Sequence, residues 1–463
     1  MIASQYYDTM SDFRVKPILL YGIHERKEQT SWRPWGAIES EDDADREARR
    51  IESELQQLQH NAGFSLVVQS LSMARTIEDV EHLAITADLI LVYAAGVQVN
   101  DSVAPIVQLL SFNTPVIFFL RKDYLWYEIL HPRFLRMSFS DEILQPIAVD
   151  DIVVDDYDGL AKKLRSLAGL EQTKRAKVIA IGSPEGWGIG KEAVRIAKQI
   201  WDIQLETVSY QELAKRIDSL KADDHALEVA RKAAEQYLSD NTVNLSTRME
   251  YVVNAFLLDQ VFRGILQELD AEILTVAECM STIMPISETT ACLPLCLLND
   301  SGYLAFCESD FVAIPAGILL HHISQKPVFL VDPTLPYNGQ VIVAHCTAPR
   351  RMDGVNLESV EVLTHFESDY GAAPQVKMRE GQEVTVIDPS FGGNEWLGFR
   401  GRILSNSNLQ ICRSQIDIEI EGDWEQLLRE MKGFHWLVVY GDYLKEIGYA
   451  LKRVGIKWTN LSI

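Results

Sequence analysis

Between residues 16 and 120, short runs of unbroken apolar residues alternate with segments of helical character. KPILLYGI comes first, followed by ADREARRIESELQQLQ and then FSLVVQS, TADLILVYA and TPVIFFL. A strand with one wet face alternates apolar and polar residues, so a strand that is apolar throughout is covered on both faces. Between helices that means a parallel sheet in an α/β layer. GLEQTKRAK, residues 169 to 177, breaks the pattern, and VIAIGSPEGWGIGKEAVRIAKQI then repeats the order strand, glycine loop, helix. Beyond about residue 340 the pattern becomes alternation broken by turns, as in EVTVIDPSFGGNE and CRSQIDIEIEGD, the mark of antiparallel strands. A chain of 463 residues can form roughly two to four cores. The expected architecture is therefore two Rossmann-like parallel-sheet α/β domains, 1–170 and 171–338, followed by a C-terminal β-rich domain, 339–463.

Charge narrows the partners. Forty-three basic and 66 acidic residues leave a formal charge of -23, which provides no footprint for a phosphate backbone and disfavours nucleic acid and anionic membranes. The first residues, MIASQYYDTMSDF, lack the basic start and apolar middle of a signal peptide, and no apolar run approaches the roughly 20 residues of a membrane span. The expectation is a cytoplasmic protein with small, neutral or cation-associated partners. Cysteines 279, 292, 296, 307, 346 and 412 lack the spacing of a disulfide framework and read as reduced thiols that mostly fill the core.

Several motifs carry chemistry or its appearance. GSPEGWGIGK is a glycine-rich turn into a helix, a form that can present amides to an anion. Glu185 and Glu192 stand where a P-loop needs Gly and Ser or Thr, and the glycine series misses the dinucleotide spacing, so the segment reads as a tight turn beside a crevice. His321 and His322 close an apolar helical run, one expected toward the core and one toward solvent. SGYLAFCESD carries Glu308 and Asp310 between two apolar runs, and buried carboxylates persist only when paired, hydrogen-bonded or bound to a metal. Asp332 and His345 sit at the ends of apolar strand-like runs, and His435 starts HWLVVYGD. Glu308 and Asp332 with imidazole suit manganese, magnesium or cobalt better than the sulfur-rich zinc class. A zinc site built from Cys307, Cys346 and nearby histidines lacks any CxxC pair.

The stretch CLPLCLLNDSGYLAFCESDFVAIPAGILLHHISQKPVFLVDP, followed by AHCTAP, THFESDYG, GQEVTVI, CRSQIDI and GFHWLVVYGD, resembles the L-fucose isomerase and L-arabinose isomerase superfamily, most closely its shorter fucose-isomerase-like branch. The resemblance runs from about residue 270 to the end, and the first half is compatible with it. It implies two α/β domains with a C-terminal β-rich domain, and a manganese ion held by Glu308, Asp332 and His435. Glu308 and Asp332 also serve as the proton-transfer groups, with no organic cofactor. His345 is implied as a further ligand or substrate contact. Relatives often carry Asn-His-His where this chain has Phe434, His435 and Trp436, which makes Trp436 a candidate substrate contact. Arg350, beside Arg351, is a candidate for an anionic substituent. Trp32, Arg33 and Trp35 lie in a loop that in the family reaches toward a neighbouring subunit's site.

The implied function is metal-dependent aldose–ketose isomerisation of a small sugar through an ene-diol or ene-diolate, in a homo-oligomer, trimer or hexamer. Alternatives on the same scaffold are a metal-dependent epimerase, aldolase or decarboxylase, or a non-catalytic sugar-binding homologue.

Overall fold

The computed structural model describes residues 12–23, 25–30, 32, 38–95, 99–122 and 148–462, so Arg33 and Trp35 lie outside the described residues. It divides into two compact units, Thr9–Arg165 and Ser166–Ile463.

In the first unit, β1 (Phe13–Tyr21), β2 (Leu66–Val68), β3 (Ser72–Ala74), β4 (Leu89–Ala95), β5 (Val116–Leu120) and β6 (Ile152–Val154) form a sheet of order β2-β1-β4-β5-β6, with β3 also on β1. Every pairing is parallel, and the apolar run of β5 is buried at all its positions, as two-sided cover requires. The helix Glu41–Asn61 starts where the Ser40 side chain accepts the Asp43 amide, and it buries Ile51, Leu55 and Leu58 at helical spacing.

The second unit contributes β7 (Lys177–Ile181), β8 (Gln204–Val208), β9 (Val243–Leu245), β10 (Ile273–Val276) and β11 (Leu304–Phe306), of which all but β9 form a parallel sheet of order β11-β10-β7-β8. Nine strands follow: β12 (Phe329–Pro333), β13 (Gln340–His345), β14 (Ser359–Leu363), β15 (Ala373–Lys377), β16 (Glu383–Pro389), β17 (Glu395–Ser405), β18 (Ser414–Glu421), β19 (Trp436–Tyr440) and β20 (Lys457–Asn460). The order β16-β19-β12-β13-β18-β17 closes through β17 onto β16, giving an antiparallel barrel with β20 added outside on β17. β9, β14 and β15 form a small separate sheet. The β-rich C-terminal part is thus a closed barrel. It begins with β12, so the boundary expected at 338 runs between two neighbouring barrel strands, and the second parallel sheet shares one compact unit with the barrel.

Strand alternation sorts the barrel residues. Trp436, Val438 and Tyr440 point into the barrel with Phe329, Val331, Val384, Val386 and Phe399. Leu437 and Val439 point the other way, among residues of the helices Ile314–Ser324 and Leu444–Arg453. By the same period His435 and Asp332 leave the barrel wall on the side of Leu437 and Leu330. The segment before β19 is pinned by Asp388, which accepts the amides of Lys432 and Gly433, each at 2.7 Å. A Cβ on Gly433 would stand 2.1 Å from the Pro389 carbonyl oxygen, so this position has room only for glycine.

Among the described residues no single helix is long and apolar enough to cross a membrane. The pair Cys279–Ser287 and Cys292–Asp300 comes nearest, but it bends by 88°, and Leu293, Leu295 and Leu298 of its second helix are buried in the unit's own core.

Asp388→Ala leaves two partly buried amides without their acceptor, at a cost of up to about 1–3 kcal/mol each. Urea unfolding monitored by tryptophan fluorescence should show a lower midpoint at unchanged slope; an unchanged midpoint would mean that the turn stands without its carboxylate.

Candidate metal centre

Four donor-bearing side chains meet at one end of the barrel. Glu308 comes from the loop after β11, Asp332 from β12, His345 from the end of β13, and His435 from the residue before β19. Pairing brings the last three together, because Asp332 lies opposite Ala344, and Val331 opposite Trp436, so one further step sets Asp332 against His435. Sequence separation of more than a hundred residues is thereby removed by strand register alone.

Glu308 arrives differently. It and Ser309 both take positive φ, 66° and 46°, an uncommon backbone state for two consecutive residues with side chains. Several contacts hold them. Glu185 bridges Asp310 in parallel, the Phe311 amide donates to the Glu185 carbonyl at 2.8 Å, and the Ser309 hydroxyl donates to Thr275 Oγ1 at 3.2 Å. The glycine-rich turn thus contributes backbone support here rather than an anion cradle. It also brings Trp187, whose amide donates to Asp310 Oδ1 at 3.1 Å and whose indole donates to Glu308 Oε2 at 3.2 Å.

The donor atoms are close. His345 Nε2 lies 3.6 Å from Glu308 Oε1; His435 Nε2 lies 3.4 Å from Glu308 Oε2 and 3.3 Å from Asp332 Oδ1. Among the described residues, the one group whose ligand atoms all lie within 4.8 Å of each other is Glu308, His345 and His435. His345, implied as a further ligand or a substrate contact, thus stands inside the tightest donor set, while Asp332 approaches it through His435.

Each histidine has its second nitrogen occupied. His435 Nδ1 pairs with Asp310 Oδ2 at 2.7 Å between two fully buried groups, and His345 Nδ1 meets Thr347 Oγ1 at 3.1 Å. The carboxylate holds a proton on His435 Nδ1, so Nε2 is the nitrogen turned toward Glu308 and Asp332, as metal-binding histidines are commonly oriented. Asp332 Oδ1, His345 Nε2 and His435 Nε2 are all buried and hydrogen-bond to nothing. Buried polar atoms are normally satisfied, and three such atoms converging beside a carboxylate fit a cation.

Electrostatics agree. Burial raises the Glu308 carboxyl, but His345 and His435 outweigh it and hold the group well below the usual carboxylate range. Burial likewise lowers His435, yet its hydrogen bond to Asp310 and the neighbouring Glu308 and Asp332 carboxylates prevail, pushing it up to about 10. Asp332 is raised, mainly by burial. The carboxylates that raise the imidazoles' affinity for a proton would equally favour a cation between them. A divalent cation would displace such protons on binding.

Trp187 and Phe434 form the rim, stacked with centroids 4.2 Å apart, the residues 46% and 40% exposed. Asp310 appeared in the sequence beside Glu308, where its role as a histidine partner could not be read; Trp187 sat in a loop read as a turn.

Two other expected contacts, Arg350 and Trp436, are committed elsewhere in the fold. Arg350 is buried and committed: its guanidinium donates to the Glu358 carbonyl and Thr242 and lies over the Tyr237 ring. Arg351 donates to the Asp300 and Val355 carbonyls. Trp436 is barrel core, edge-on to Phe399, because its strand parity is opposite to that of His435. Trp32 belongs to the first unit, and Arg33 lies outside the described residues. His321 and His322 are structural, bonded to the Lys326 carbonyl and to Thr173.

The chain matches no protein-family model and no curated protein.

Asp310→Asn would place an amide N–H against His435 Nδ1, move the imidazole proton to Nε2 and block the ligand nitrogen. Isothermal titration with manganese should show affinity weakened about 10- to 100-fold; affinity equal to the parent's would remove Asp310 from this role.

Proposed function

We propose that the chain is a metal-dependent aldose–ketose isomerase of the fucose-isomerase-like kind, with manganese as its ion. The observation that carries the metal is the set of unsatisfied buried atoms on Asp332, His345 and His435 facing Glu308. The reaction class rests on the motif resemblance read from residue 270 onward, and the reading takes the two parallel sheets as Rossmann-like domains. Glu308, His345 and His435 would hold the ion, with Asp332 beside them. Bound there, a divalent ion supplies Lewis acidity to the adjacent carbonyl and hydroxyl oxygens of an open-chain sugar.

The chain's own groups divide the remaining work. Isomerisation needs a proton to leave carbon 2 and return at carbon 1, or the reverse. Asp332, whose burial raises its proton affinity, suits the group that receives and returns that proton. Glu308, kept ionised by two histidines, suits the stable negative ligand. Two carboxylates whose environments push their proton affinities apart are how one site assigns different duties to like groups. The stacked Trp187 and Phe434 rings can cover the apolar face of a sugar and exclude water from one side. With Arg350 and Arg351 committed to protein partners, the reading takes a neutral sugar.

A cytoplasmic, closed homo-oligomer, trimer or hexamer, belongs to the same reading. Sedimentation at micromolar concentration checks it, and a monomer would overturn that part.

The deciding experiment incubates the purified chain with manganese, magnesium or cobalt and a panel of aldoses in deuterated water. Ketose should form only with added metal, with solvent deuterium entering the product at carbon 1. Asp332→Asn and Glu308→Gln should each lower turnover by more than about 100-fold. Sugar binding without turnover would mark a binding protein, and carbon–carbon cleavage, loss of carbon dioxide or a changed stereocentre would mark one of the other reactions. Near-normal ketose formation by either variant would sink the assigned roles.

A further inference from the structure

Trp187 is half-exposed, yet both of its N–H groups are committed, and both to carboxylates that flank His435. Its backbone amide donates to Asp310 Oδ1 at 3.1 Å, and the other oxygen of Asp310 holds His435 Nδ1 at 2.7 Å. Its indole donates to Glu308 Oε2 at 3.2 Å, and the same oxygen stands 3.4 Å from His435 Nε2. One residue thus spans the histidine, touching a partner of each ring nitrogen. The indole also has a seat, stacked on Phe434 with 21° between the ring planes and edge-on to His435 with centroids 6.2 Å apart.

The turn is built to bring the residue there. Glu185, two positions earlier, donates its amide to the Ser309 carbonyl at 3.3 Å and accepts the Phe311 amide at 2.8 Å, so the turn and the loop carrying Glu308 are joined as one piece. Gly186 permits the close approach, because a Cβ there would stand 2.2 Å from the Cβ of Ala193 and 3.4 Å from Asp310 Oδ1. A surface tryptophan that only covers apolar area has no need to aim its N–H at an acid, since water satisfies an exposed indole.

The geometry of Glu308 shows what the indole supplies. Its backbone is fixed in the left-handed region, but its side chain is long and 40% exposed. Its two oxygens must face different histidines, Oε1 toward His345 Nε2 at 3.6 Å and Oε2 toward His435 Nε2 at 3.4 Å. The terminal torsion of a glutamate is broad, and turning about it moves both oxygens off line. A neutral N–H on Oε2 fixes that angle and leaves the oxygen a second lone pair for a cation. A lysine or arginine in the same place would orient the carboxylate too, but its charge would repel the ion.

We infer that Trp187 is a positioning residue of the metal centre, its indole N–H holding the Glu308 carboxylate in the orientation that receives the cation. Ion affinity then depends on a side chain that cannot itself bind the ion, since an indole N–H only donates. The inference rests on the reading of the donor set as a metal site and not on the reaction assigned to it. A spectroscopic consequence follows: a cation on Glu308 draws charge from the oxygen that accepts the indole proton, so loading the site changes the emission of Trp187.

The full-length parent, Trp187→Phe and Phe434→Ala are titrated with manganese by calorimetry and with magnesium by intrinsic fluorescence. Trp187→Phe keeps an aromatic ring beside Phe434 and loses the N–H, so its manganese affinity should fall about 10- to 100-fold, as for a lost partner of a metal ligand. Its metal-free thermal midpoint should stay within about 2 °C of the parent's, as for an exposed substitution; a merely structural residue would lower the midpoint and the affinity together. The parent's emission should change on magnesium loading, and that change should be absent from Trp187→Phe although the chain's other tryptophans remain. Phe434→Ala removes the stack and leaves the donor, so it should weaken manganese binding less than Trp187→Phe and keep the emission change. Parental affinity in Trp187→Phe, an emission change that survives that substitution, or a larger loss of affinity in Phe434→Ala would each overturn the inference while leaving the metal site in place. A parent that binds neither manganese nor magnesium would overturn the metal reading and this inference together.

Discussion

The pairing of His435 with Asp310 is the contact on which the rest of the centre depends. Both groups are fully buried, and they stand 2.7 Å apart. Taking two ionisable groups out of water is costly, and breaking such a pair by removing one member costs about 3–5 kcal/mol, so it persists only where the surroundings complete it. Here they do: Asp310 uses its other oxygen on the amides of Trp187 and Val312. One carboxylate therefore ties together the loop after β11, the glycine-rich turn after β7 and the entry to β19. The same contact aims His435 Nε2 at Glu308 and Asp332.

Around that pair the protein tolerates local strain. Glu308 and Ser309 stand in the left-handed region, which side chains other than glycine visit at a cost of about 1–3 kcal/mol each. Strain of this kind survives when neighbouring contacts determine the backbone more strongly than its own preference does, and the Glu185 bridge and the Ser309–Thr275 hydrogen bond supply them. The outcome is a carboxylate held against two imidazoles that could not be placed there by a relaxed turn.

Much of this was legible in the residues. Unbroken apolar runs between amphipathic helices define parallel sheets because only two-sided burial makes such runs favourable, and β5 is buried throughout. Alternation past residue 340 defines antiparallel strands for the complementary reason. Glu308, Asp332, His345 and His435 stood out because polar donors beside apolar runs are expensive to bury without a purpose. Their meeting was decided by tertiary structure: the register of β12 with β13 and β19 sets three of them together, and nothing local encodes which strands pair. The closure of the barrel, with β12 claimed from the preceding segment, is of the same kind. Arg350 and Trp436 looked available in sequence and are committed in the fold: strand parity turns Trp436 into the barrel, and the segment after β13 brings the Arg350 guanidinium to Glu358 and Thr242. Cysteines spread over more than a hundred residues read singly as filler, and only the packing of separate segments makes them neighbours.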